Sequence, residues 1–511
     1  MQPIDHLFRG ARLDPAAVAI EFGEESITYA ELVRRVEALA AAFQAIDPRP
    51  QSRVGVSGYN TPEHVIAMLA AFAAGKVWVP LNPLNGRAEL DAFIAATTPS
   101  IIVADANCMD RFTPGSATVI LGRGAGDGDD SIANLLQRHD AEDLDRPDLG
   151  PEDLVGIKFT GGSTGRPKGV MQSLRCVNTV VATQLLSIGF DSTSRHLLAS
   201  PITHGTGTYI LPTLSQGGRL VIIERARASD ILDAFEHRGV TGVFLPPTVI
   251  YNILAEDGVA ERTYPALRHL IYAGAPMRPE QIRAAQRAFG PVIETSFGQT
   301  EAPQIITYQR AREFAEEANL ASVGRASALT RVEIMAPDGR ILPAGEEGEI
   351  VVKGDIVMKG YLDQPEETAK TIVNGWLHTG DIGVIDSRGY LFIKGRSREV
   401  IISGGFNVYP ADVEGALGRH ASVKECVVFG VEDAKWGERV EAAVELHDGA
   451  TATAEALTAF VRELLGPIKT PKAIHILDQL PRSPVGKVLR RETKAIVHGT
   501  SKDQRRAERR A

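Results

Sequence analysis

Short apolar runs that alternate with longer Ala-rich segments restrict the fold of this 511-residue chain more than any other feature. The runs are rich in Val and Ile and end at Gly, Pro, Asn or Ser, as buried strands do. In the first part of the chain they cover residues 54–59, 77–80, 101–104 and 119–121. Residues 26–43 have helical periodicity, and Thr28 with Glu31 predicts a capping box near the helix start. This alternation predicts parallel sheets covered by helices, which is an α/β fold.

The pattern changes in the second half of the chain. From residue 327 to residue 395, short β runs separated by D-G, G-E and R-G turns predict a small antiparallel β module. Beyond it the pattern is that of a compact α+β domain, with predicted strands at 400–402, 423–429, 442–446 and 474–477 and helices at 411–417 and 454–465. We therefore predict three parts: a large N-terminal domain that includes the β module (1–395), a smaller α+β C-terminal domain (396–500), and a disordered basic tail (501–511).

Charge and cysteine content exclude several classes of protein. The 55 Lys and Arg residues against 64 Asp and Glu residues give a net charge of −9, which argues against nucleic acid or an anionic membrane as a partner. The three cysteines have no C-x-x-C spacing, so we expect neither a disulfide framework nor a zinc site. Cysteines of this kind favour a reducing, cytoplasmic location. The most apolar stretch, residues 65–80, contains Lys76 and is shorter than the ~20 residues of a membrane-spanning helix. We expect no integral membrane segment.

The strongest local signal is a loop rich in glycine and hydroxyl groups that follows the apolar run 155–159. Backbone N–H groups in such a loop can converge on an anion because glycine allows close approach, and Lys168 adds a positive charge. The loop lacks the Walker A string. We predict that it binds phosphate through Thr160, Gly161, Gly162, Ser163, Thr164, Gly165 and Lys168.

Two other interpretations of this loop are weaker. Residues 161–165 satisfy G-x-S-x-G, the nucleophile elbow of α/β hydrolases, with Ser163 as nucleophile. That elbow must lead directly into a helix, and Gly165, Pro167 and Gly169 oppose one here. A serine hydrolase and a plain structural turn are therefore the weaker alternatives.

The loop resembles the [TS]-[SG]-G-[TS]-T-G-x-P-K-G signature of the adenylate-forming superfamily, which includes acyl-CoA synthetases, luciferases and peptide-synthetase adenylation domains. Six further segments resemble this family's motifs in the family's order. They are YAGAP at 272–276, SFGQTE at 296–301, HTGD at 378–381, GRSREV at 395–400, SGGFNVYP at 403–410 and PRSPVGK at 481–487. The ordered matches extend along nearly the whole chain.

The resemblance implies ATP, Mg²⁺ and coenzyme A as the cofactors. Glu301 would hold Mg²⁺, a role that suits a carboxylate combined with water and phosphate oxygens, and Thr300 would donate to the α-phosphate. Lys487 would lie between the acyl carboxylate and the α-phosphate. Without the resemblance, Glu301 is an exposed loop acid and Lys487 a surface charge. The remaining nucleotide contacts implied by the resemblance are Gly274, Ala275, Pro276, Phe297, Gly298, Asp381 and Arg396.

The second half-reaction implies further residues. The family's C-terminal domain is a mobile cap that rotates, which would bring Gly404 and Gly405 to a tunnel for the thiol. Arg398 occupies the family's hinge position, where Asp or Lys is usual. His204 matches a gating residue beside the acyl pocket, and Trp436 would lie along the pantetheine path. A core histidine and a core tryptophan are the alternatives.

These observations predict an ATP-dependent, AMP-forming acid–CoA ligase that acts on a mostly apolar carboxylic acid of fatty or aromatic acid metabolism. Residues 205–209 and 302–306 carry no Lys or Arg, which disfavours an acid with a second carboxylate. The first alternative is an acyl-AMP-forming enzyme that passes the acyl group to a carrier protein or oxidises the acyl-adenylate as a luciferase does. The second is a binding protein or hydrolase. The carboxylic acid is the expected partner, and a homodimer is an open alternative.

Overall fold

The computed structural model describes residues 1–123, 131–160, 167–403, 406–433, 436–483 and 488–499. The α-helices among them are α1 Asp5–Leu13, α2 Tyr29–Ile46, α3 Pro62–Ala73, α4 Arg87–Thr97, α5 Ile132–Arg138, α6 Leu174–Ile188, α7 Ile210–Ser215, α8 Ala228–His237, α9 Pro247–Leu254, α10 Pro279–Phe289, α11 Pro365–Thr371, α12 Pro410–Leu417, α13 Ala454–Lys469 and α14 Arg490–Val497.

The strands of the N-terminal part are β1 Val18–Phe22, β2 Glu25–Thr28, β3 Arg53–Ser57, β4 Val77–Pro80, β5 Ile101–Ala104, β6 Thr118–Leu121, β7 Leu154–Thr160, β8 Lys168–Ser173, β9 Arg195–Leu198, β10 Arg219–Ile222, β11 Gly242–Leu245, β12 His269–Tyr272, β13 Ile293–Phe297, β14 Thr307–Gln309 and β15 Arg325–Ala326. The later strands are β16 Arg331–Met335, β17 Glu347–Lys353, β18 Gly360–Tyr361, β19 Ile372–Val373, β20 Trp376–Ile385, β21 Leu391–Arg396, β22 Ile401–Ser403, β23 Phe406–Val408, β24 Val423–Asp433, β25 Gly437–Leu446 and β26 Ala473–Ile476.

Two large sheets form the N-terminal part. One has the strand order β15-β14-β13-β12-β11-β9-β10-β1-β2 and the other the order β18-β8-β7-β4-β3-β5-β6. Their central strands pair in parallel, as β11 does with β12 and β3 does with β4. Every residue of α3 except Glu63 is buried, as expected of a helix that is apolar on all sides. The predicted α/β fold with helix-covered parallel sheets is confirmed.

Two smaller sheets complete the described residues. β16, β17, β20 and β19 pair antiparallel, with β21 beside β20, which confirms the predicted β module. The C-terminal sheet has the order β23-β22-β25-β24, and β26 pairs with β25. β21 ends at Arg396 and the next strand, β22, belongs to this other sheet. The chain therefore changes sheets close to the predicted boundary at residue 395.

The helix predicted at residues 26–43 begins later than expected. Residues 25–28 form β2, in which Ile27 pairs with Ile20 of β1, and α2 begins at Tyr29. Thr28 does cap α2, because its Oγ1 accepts a hydrogen bond from the N–H of Glu31 at 3.3 Å. The Glu31 carboxylate pairs with Arg34 and Arg35. The strand propensity and cross-strand packing of Ile27 outweigh the helical pattern at these residues.

Within the described part of the chain, no helix is both long and apolar enough to cross a bilayer. Cys108, Cys176 and Cys426 are all buried and none is in a disulfide. The acidic segment 124–130 and the basic tail lie outside the described residues.

Candidate active site

A cleft of about 1040 Å³ opens where several strands of the N-terminal sheets end. Parallel strands of an α/β sheet expose their carboxyl ends at one edge, which is where such folds bind ligands. β12 ends at Tyr272 and is followed by Gly274, and β13 ends at Phe297 and is followed by Gly298 and Thr300. The cleft is lined by these three residues after the strands and by the predicted His204. Four predicted site residues from distant parts of the sequence thus meet in one cavity.

The predicted phosphate loop connects two paired strands. Thr160 at the end of β7 lies opposite Lys168 at the start of β8 in an antiparallel pair. Gly161, Gly162, Ser163, Thr164 and Gly165 lie outside the described residues. The element after the loop is the strand β8 and not a helix, so the nucleophile-elbow alternative lacks the helix that it requires.

Lys168 is held at the mouth of this loop by two contacts. Its Nζ lies 2.7 Å from Oε2 of Glu367 and 4.9 Å from the centre of the Tyr361 ring. Hydrogen bonds from Lys168 and Lys370 lower the pKa of Glu367 to about 2, so this carboxylate stays ionised. The ammonium group is therefore positioned beside the loop before any phosphate binds.

The segment that carries Thr300 and Glu301 is fixed by neighbouring strands. The Tyr361 hydroxyl donates to Oε1 of Glu301 at 2.8 Å, and Nε2 of Gln172 donates to the carbonyl oxygen of Thr300 at 3.0 Å. The N–H of Met358 donates to the carbonyl oxygen of Glu301 at 2.8 Å. Burial and the nearby Glu301 charge raise the pKa of Tyr361, so its hydroxyl remains a donor. No sequence motif joins Tyr361 to Glu301, so this contact is not predictable from the local pattern.

Asp381 is a buried carboxylate that contacts one guanidinium group and one side-chain amide. Arg396 Nε lies 2.7 Å from its Oδ1, and Nε2 of Gln299 donates to its Oδ2 at 2.7 Å. Gln299 also donates to the carbonyl oxygen of Thr379 at 3.0 Å. The SFGQTE and HTGD segments therefore meet through Gln299, a motif residue for which the sequence alone predicted no role.

The Thr-Gly pair before Asp381 suggests a tight turn, but the structure has none there. Residues 379–381 lie inside β20, where the pairing with β17 shifts register between Glu349 and Val351. Gly380 has φ +68°, a conformation that favours glycine, and makes the local irregularity a β-bulge. The bulge places the Asp381 carboxylate beside the end of β13.

His204 lines the cleft and immediately precedes a short helical turn, Gly205–Tyr209. Its Nδ1 lies 2.9 Å from the Oγ1 of Thr203. Burial, and secondarily the positive charge of Lys158, lower the pKa of His204 to about 4, so the ring is neutral at pH 7. A neutral ring is compatible with an apolar ligand in this part of the cleft.

The wall next to His204 is aromatic and closely packed. The Tyr209 and Phe244 rings stack with centroids 5.4 Å apart, and Nε2 of Gln304 donates to the Tyr209 hydroxyl at 3.0 Å. A Cβ at Gly205 would come within 2.7 Å of Phe244 and 2.8 Å of Gln304. Glycine at 205 therefore sets the width of the cleft at this point.

Lys158 lines the cleft, so the cavity as a whole contains a cation that the expectation for residues 205–209 and 302–306 did not include. Those two segments lie next to His204 and after Phe297, whereas Lys158 comes from β7, ahead of the phosphate loop. Pairing of β7 with β4 and β8 brings it to the cavity.

Other predicted residues lie outside this lining. Lys487, Gly404 and Gly405 are not among the described residues. The described residues that were predicted to bind the nucleotide, Mg²⁺ or coenzyme A but do not line the cleft are Thr160, Lys168, Ala275, Pro276, Phe297, Glu301, Asp381, Arg396 and Trp436. Phe297 is buried in the core, and Trp436 is 38% exposed with Lys472 Nζ 5.3 Å from its ring centre.

The C-terminal part closes one side of the cleft. Lys424, Glu425 and Arg482 line it together with N-terminal residues. Arg278 Nη2, beside the start of α10, lies 2.9 Å from Oε1 of Glu425 on β24. This ion pair joins the two parts at the rim of the cavity.

Comparisons with known proteins extend along the same regions. Residues 7–362 match the family model of the AMP-binding enzyme, and residues 412–487 match that of the AMP-binding enzyme C-terminal domain. The chain is 37% identical over 494 residues to a feruloyl-CoA synthase of an Amycolatopsis species, covering 95% of this chain and 97% of the relative. It is 30% identical to the medium/long-chain-fatty-acid–CoA ligase FadD8 of Mycobacterium tuberculosis, covering 91% and 85%. The structure of the amide bond synthetase McbA from Marinactinospora thermotolerans superposes with a TM-score of 0.87 at 29% identity, covering 97% and 99%.

Proposed function

This chain belongs to the family of AMP-binding enzymes, and we propose that it is an AMP-forming ligase that joins a carboxylic acid to coenzyme A. The predicted membership in the adenylate-forming superfamily is confirmed. The observation that carries the proposal is the meeting of the SFGQTE and HTGD segments at one end of the N-terminal sheets, through the hydrogen bond from Gln299 to Asp381. Relatives that are named as CoA ligases along nearly the full chain support the same reaction.

The first step activates the acid. A carboxylate is a poor acyl donor because its oxygen leaves badly, so one carboxylate oxygen attacks the α-phosphorus of ATP and pyrophosphate leaves. Thr300 would donate to the α-phosphate, Asp381 would accept from the ribose hydroxyls, and Lys168 would neutralise charge at the loop. Lys487 is proposed to bridge the acyl carboxylate and the α-phosphate. These groups act by position and charge.

Glu301 is the proposed protein ligand of Mg²⁺. Its fit rests on the hydrogen bond from Tyr361, which orients one carboxylate oxygen, and on the hard-oxygen chemistry that this ion requires. When bound there, Mg²⁺ supplies positive charge to the phosphate oxygens.

The second step transfers the acyl group. The coenzyme A thiolate attacks the acyl-adenylate carbonyl, a C–S bond forms, and AMP leaves with its phosphate oxygen. We propose that rotation of residues 396–500 moves Lys487 away and brings Gly404 and Gly405 to the thiol path, with Trp436 near the pantetheine. A cytoplasmic location and a homodimer stay predictions.

The acid is proposed to be aromatic. Phe244 and Tyr251 line the cleft, and the likeness to a feruloyl-CoA synthase supports a planar aromatic acyl group over a long alkyl chain. Gly205 lets the Phe244 ring pack against this wall, because a Cβ at position 205 would come within 2.7 Å of that ring.

A second candidate is transfer of the same acyl group from AMP to an amine. The structural likeness to an amide bond synthetase favours this alternative over the other acceptors. An ATP–pyrophosphate exchange assay over a panel of acids tests the shared first step. Product analysis with coenzyme A or with amines then separates the two functions: thioester formation supports the ligase, and amide formation without thioester supports the alternative.

A further inference from the structure

Lys158 is a cation in the candidate acyl cleft that the proposed reaction does not use. It lies on β7 and lines the cavity together with His204 and Gln172. Its Nζ lies 5.1 Å from the centre of the Trp78 ring, on β4. Among the described residues its ammonium group makes no ion pair and no hydrogen bond.

The geometry of β7 determines the strand face on which Lys158 lies and its distance along the strand from Thr160. Side chains alternate along a strand, so Lys158 shares a face of β7 with Thr160, and Ile157 packs on the other face in an apolar cluster with Val79 and Leu362. Two residues of strand correspond to roughly 6–7 Å. Lys158 therefore lies about that distance before Thr160 along β7, and it lines the cleft together with His204 whereas Thr160 does not.

The surroundings leave this charge uncompensated. Burial lowers the pKa of Lys158 to about 8, so its side chain is mostly protonated at neutral pH. No carboxylate of the described residues contributes to that pKa, whereas its positive charge does lower the pKa of His204. The Trp78 ring supplies a cation–π contact but no charge. A partly buried cation without an anionic partner is stabilised when a ligand brings an anionic oxygen to it.

We propose that Lys158 binds a second anionic oxygen of the acid substrate, a carboxylate or a phenolate remote from the carboxylate that is activated. This inference rests on the proposed function and narrows its substrate class to acids with two oxygen functions. It reverses the expectation from residues 205–209 and 302–306 that a second carboxylate is disfavoured. The aromatic wall and Lys158 together fit an acid with an apolar middle and a charged far end.

Matched acids test the proposal. The panel is cinnamate, 4-hydroxycinnamate and 4-carboxycinnamate, whose far ends are apolar, phenolic and anionic. The kcat/KM of each acid is measured for the wild type, Lys158→Met, Lys158→Arg and the control Lys353→Met. Lys353 Nζ lies 5.7 Å from the ring centre of Trp376, and Lys353 is outside the cleft lining, so the control removes a comparable Lys–Trp contact elsewhere.

In the wild type we expect an acid with a far-end oxygen to be preferred over cinnamate. In Lys158→Met that preference falls at least tenfold, through KM and not kcat, whereas Lys158→Arg keeps part of it and Lys353→Met keeps all of it. The two oxygen-bearing acids show whether carboxylate or phenolate is the ligand. An unchanged preference in Lys158→Met, or an equal loss with all three acids, would overturn the proposal, because the latter places Lys158 at the shared carboxylate or nucleotide.

Calorimetric titration of the same acids without ATP separates this inference from the proposed function. Tighter binding of an oxygen-bearing acid by the wild type than by Lys158→Met supports the Lys158 site even where no turnover occurs. Absence of pyrophosphate release with every acid contradicts the proposed reaction. Equal binding by both proteins contradicts the Lys158 site.

Discussion

Asp381 and Arg396 lie directly opposite each other in strands β20 and β21, and Arg396 Nε is 2.7 Å from Oδ1 of Asp381. The cross-strand pair lies where the β module meets the chain that leads into the C-terminal sheet. Strand register thus fixes a buried carboxylate and its guanidinium partner at the proposed ribose site and near the proposed hinge.

Replacing Asp381 tests the ribose site. Asp381→Ala removes the acceptor for the ribose hydroxyls, and hydrogen bonds to charged groups contribute about 1.5–3 kcal/mol. We expect ATP to bind on the order of 10–100 times more weakly by calorimetry. Asp338→Ala, at an exposed turn, is the control and should bind ATP as the wild type does. Unchanged ATP affinity in a folded Asp381→Ala protein would refute the assignment.

Replacing Tyr361 tests the magnesium site. Tyr361→Phe removes the hydrogen bond to Glu301 and leaves the carboxylate less well oriented. Loss of such an orienting partner typically costs 10–100-fold in metal affinity, so we expect the Mg²⁺ concentration for half-maximal activity to rise about tenfold. Glu301→Gln should raise it further. Identical Mg²⁺ dependence of wild type and Tyr361→Phe would contradict the role given to Glu301.

Replacing Gly205 tests the shape of the acyl cleft. A Cβ at this position meets Phe244 at 2.7 Å, so Gly205→Ala must narrow the cavity or shift the ring. We expect kcat/KM for an acid with an aromatic ring to fall at least tenfold, with a smaller change for a short alkyl acid. The measurement is the ratio of the two values in each protein, and an unchanged ratio would show that the acyl group binds elsewhere.

Replacing His196 tests the pH dependence of stability. His196 is buried, its ring stacks on Tyr209 at 4.7 Å, and burial lowers its pKa to about 3. The unfolded chain binds a proton at this histidine near pH 6.5, whereas the native protein does not. The contribution of His196 to the free energy of unfolding is therefore complete above pH 6.5 and is lost as the pH falls towards 3.

His196→Phe removes that contribution. We expect the slope of unfolding free energy against pH, between pH 6 and pH 4, to be smaller in the variant by about 1.4 kcal/mol per pH unit. Denaturant unfolding of both proteins across this range measures the slopes. Equal slopes would mean that His196 is protonated in the native protein.

Local patterns predicted most of the fold. The runs at 77–80 and 101–104 are strands with those bounds, because short apolar runs closed by turn residues are strong signals. The start of α2 was wrong by three residues, since Ile27 is determined by pairing with Ile20 across a hairpin. The helix or strand propensity of a single segment carries no information about the strand that will pair with it.

The site was predicted only as far as motifs reach. The segments that carry Thr300, His204 and Asp381 were predicted to belong to the site because each contains a local sequence motif. Tyr361 and Lys158 were missed because their roles depend on which strands pair with β8 and β4. Register between distant segments is a tertiary property, and one sequence does not specify it.

The exchange of labelled pyrophosphate into ATP, with an acid and Mg²⁺ but without coenzyme A, tests the central claim most directly. Lys487 carries the charge proposed for the transition state, and losing one such contact typically costs on the order of 10²–10³ in rate. We predict acid-dependent exchange in the wild type and a loss of that size in Lys487→Ala, with much less effect on thioester formation from supplied acyl-adenylate. No exchange by the folded wild type with any acid, or exchange at the wild-type rate in Lys487→Ala, would contradict the account.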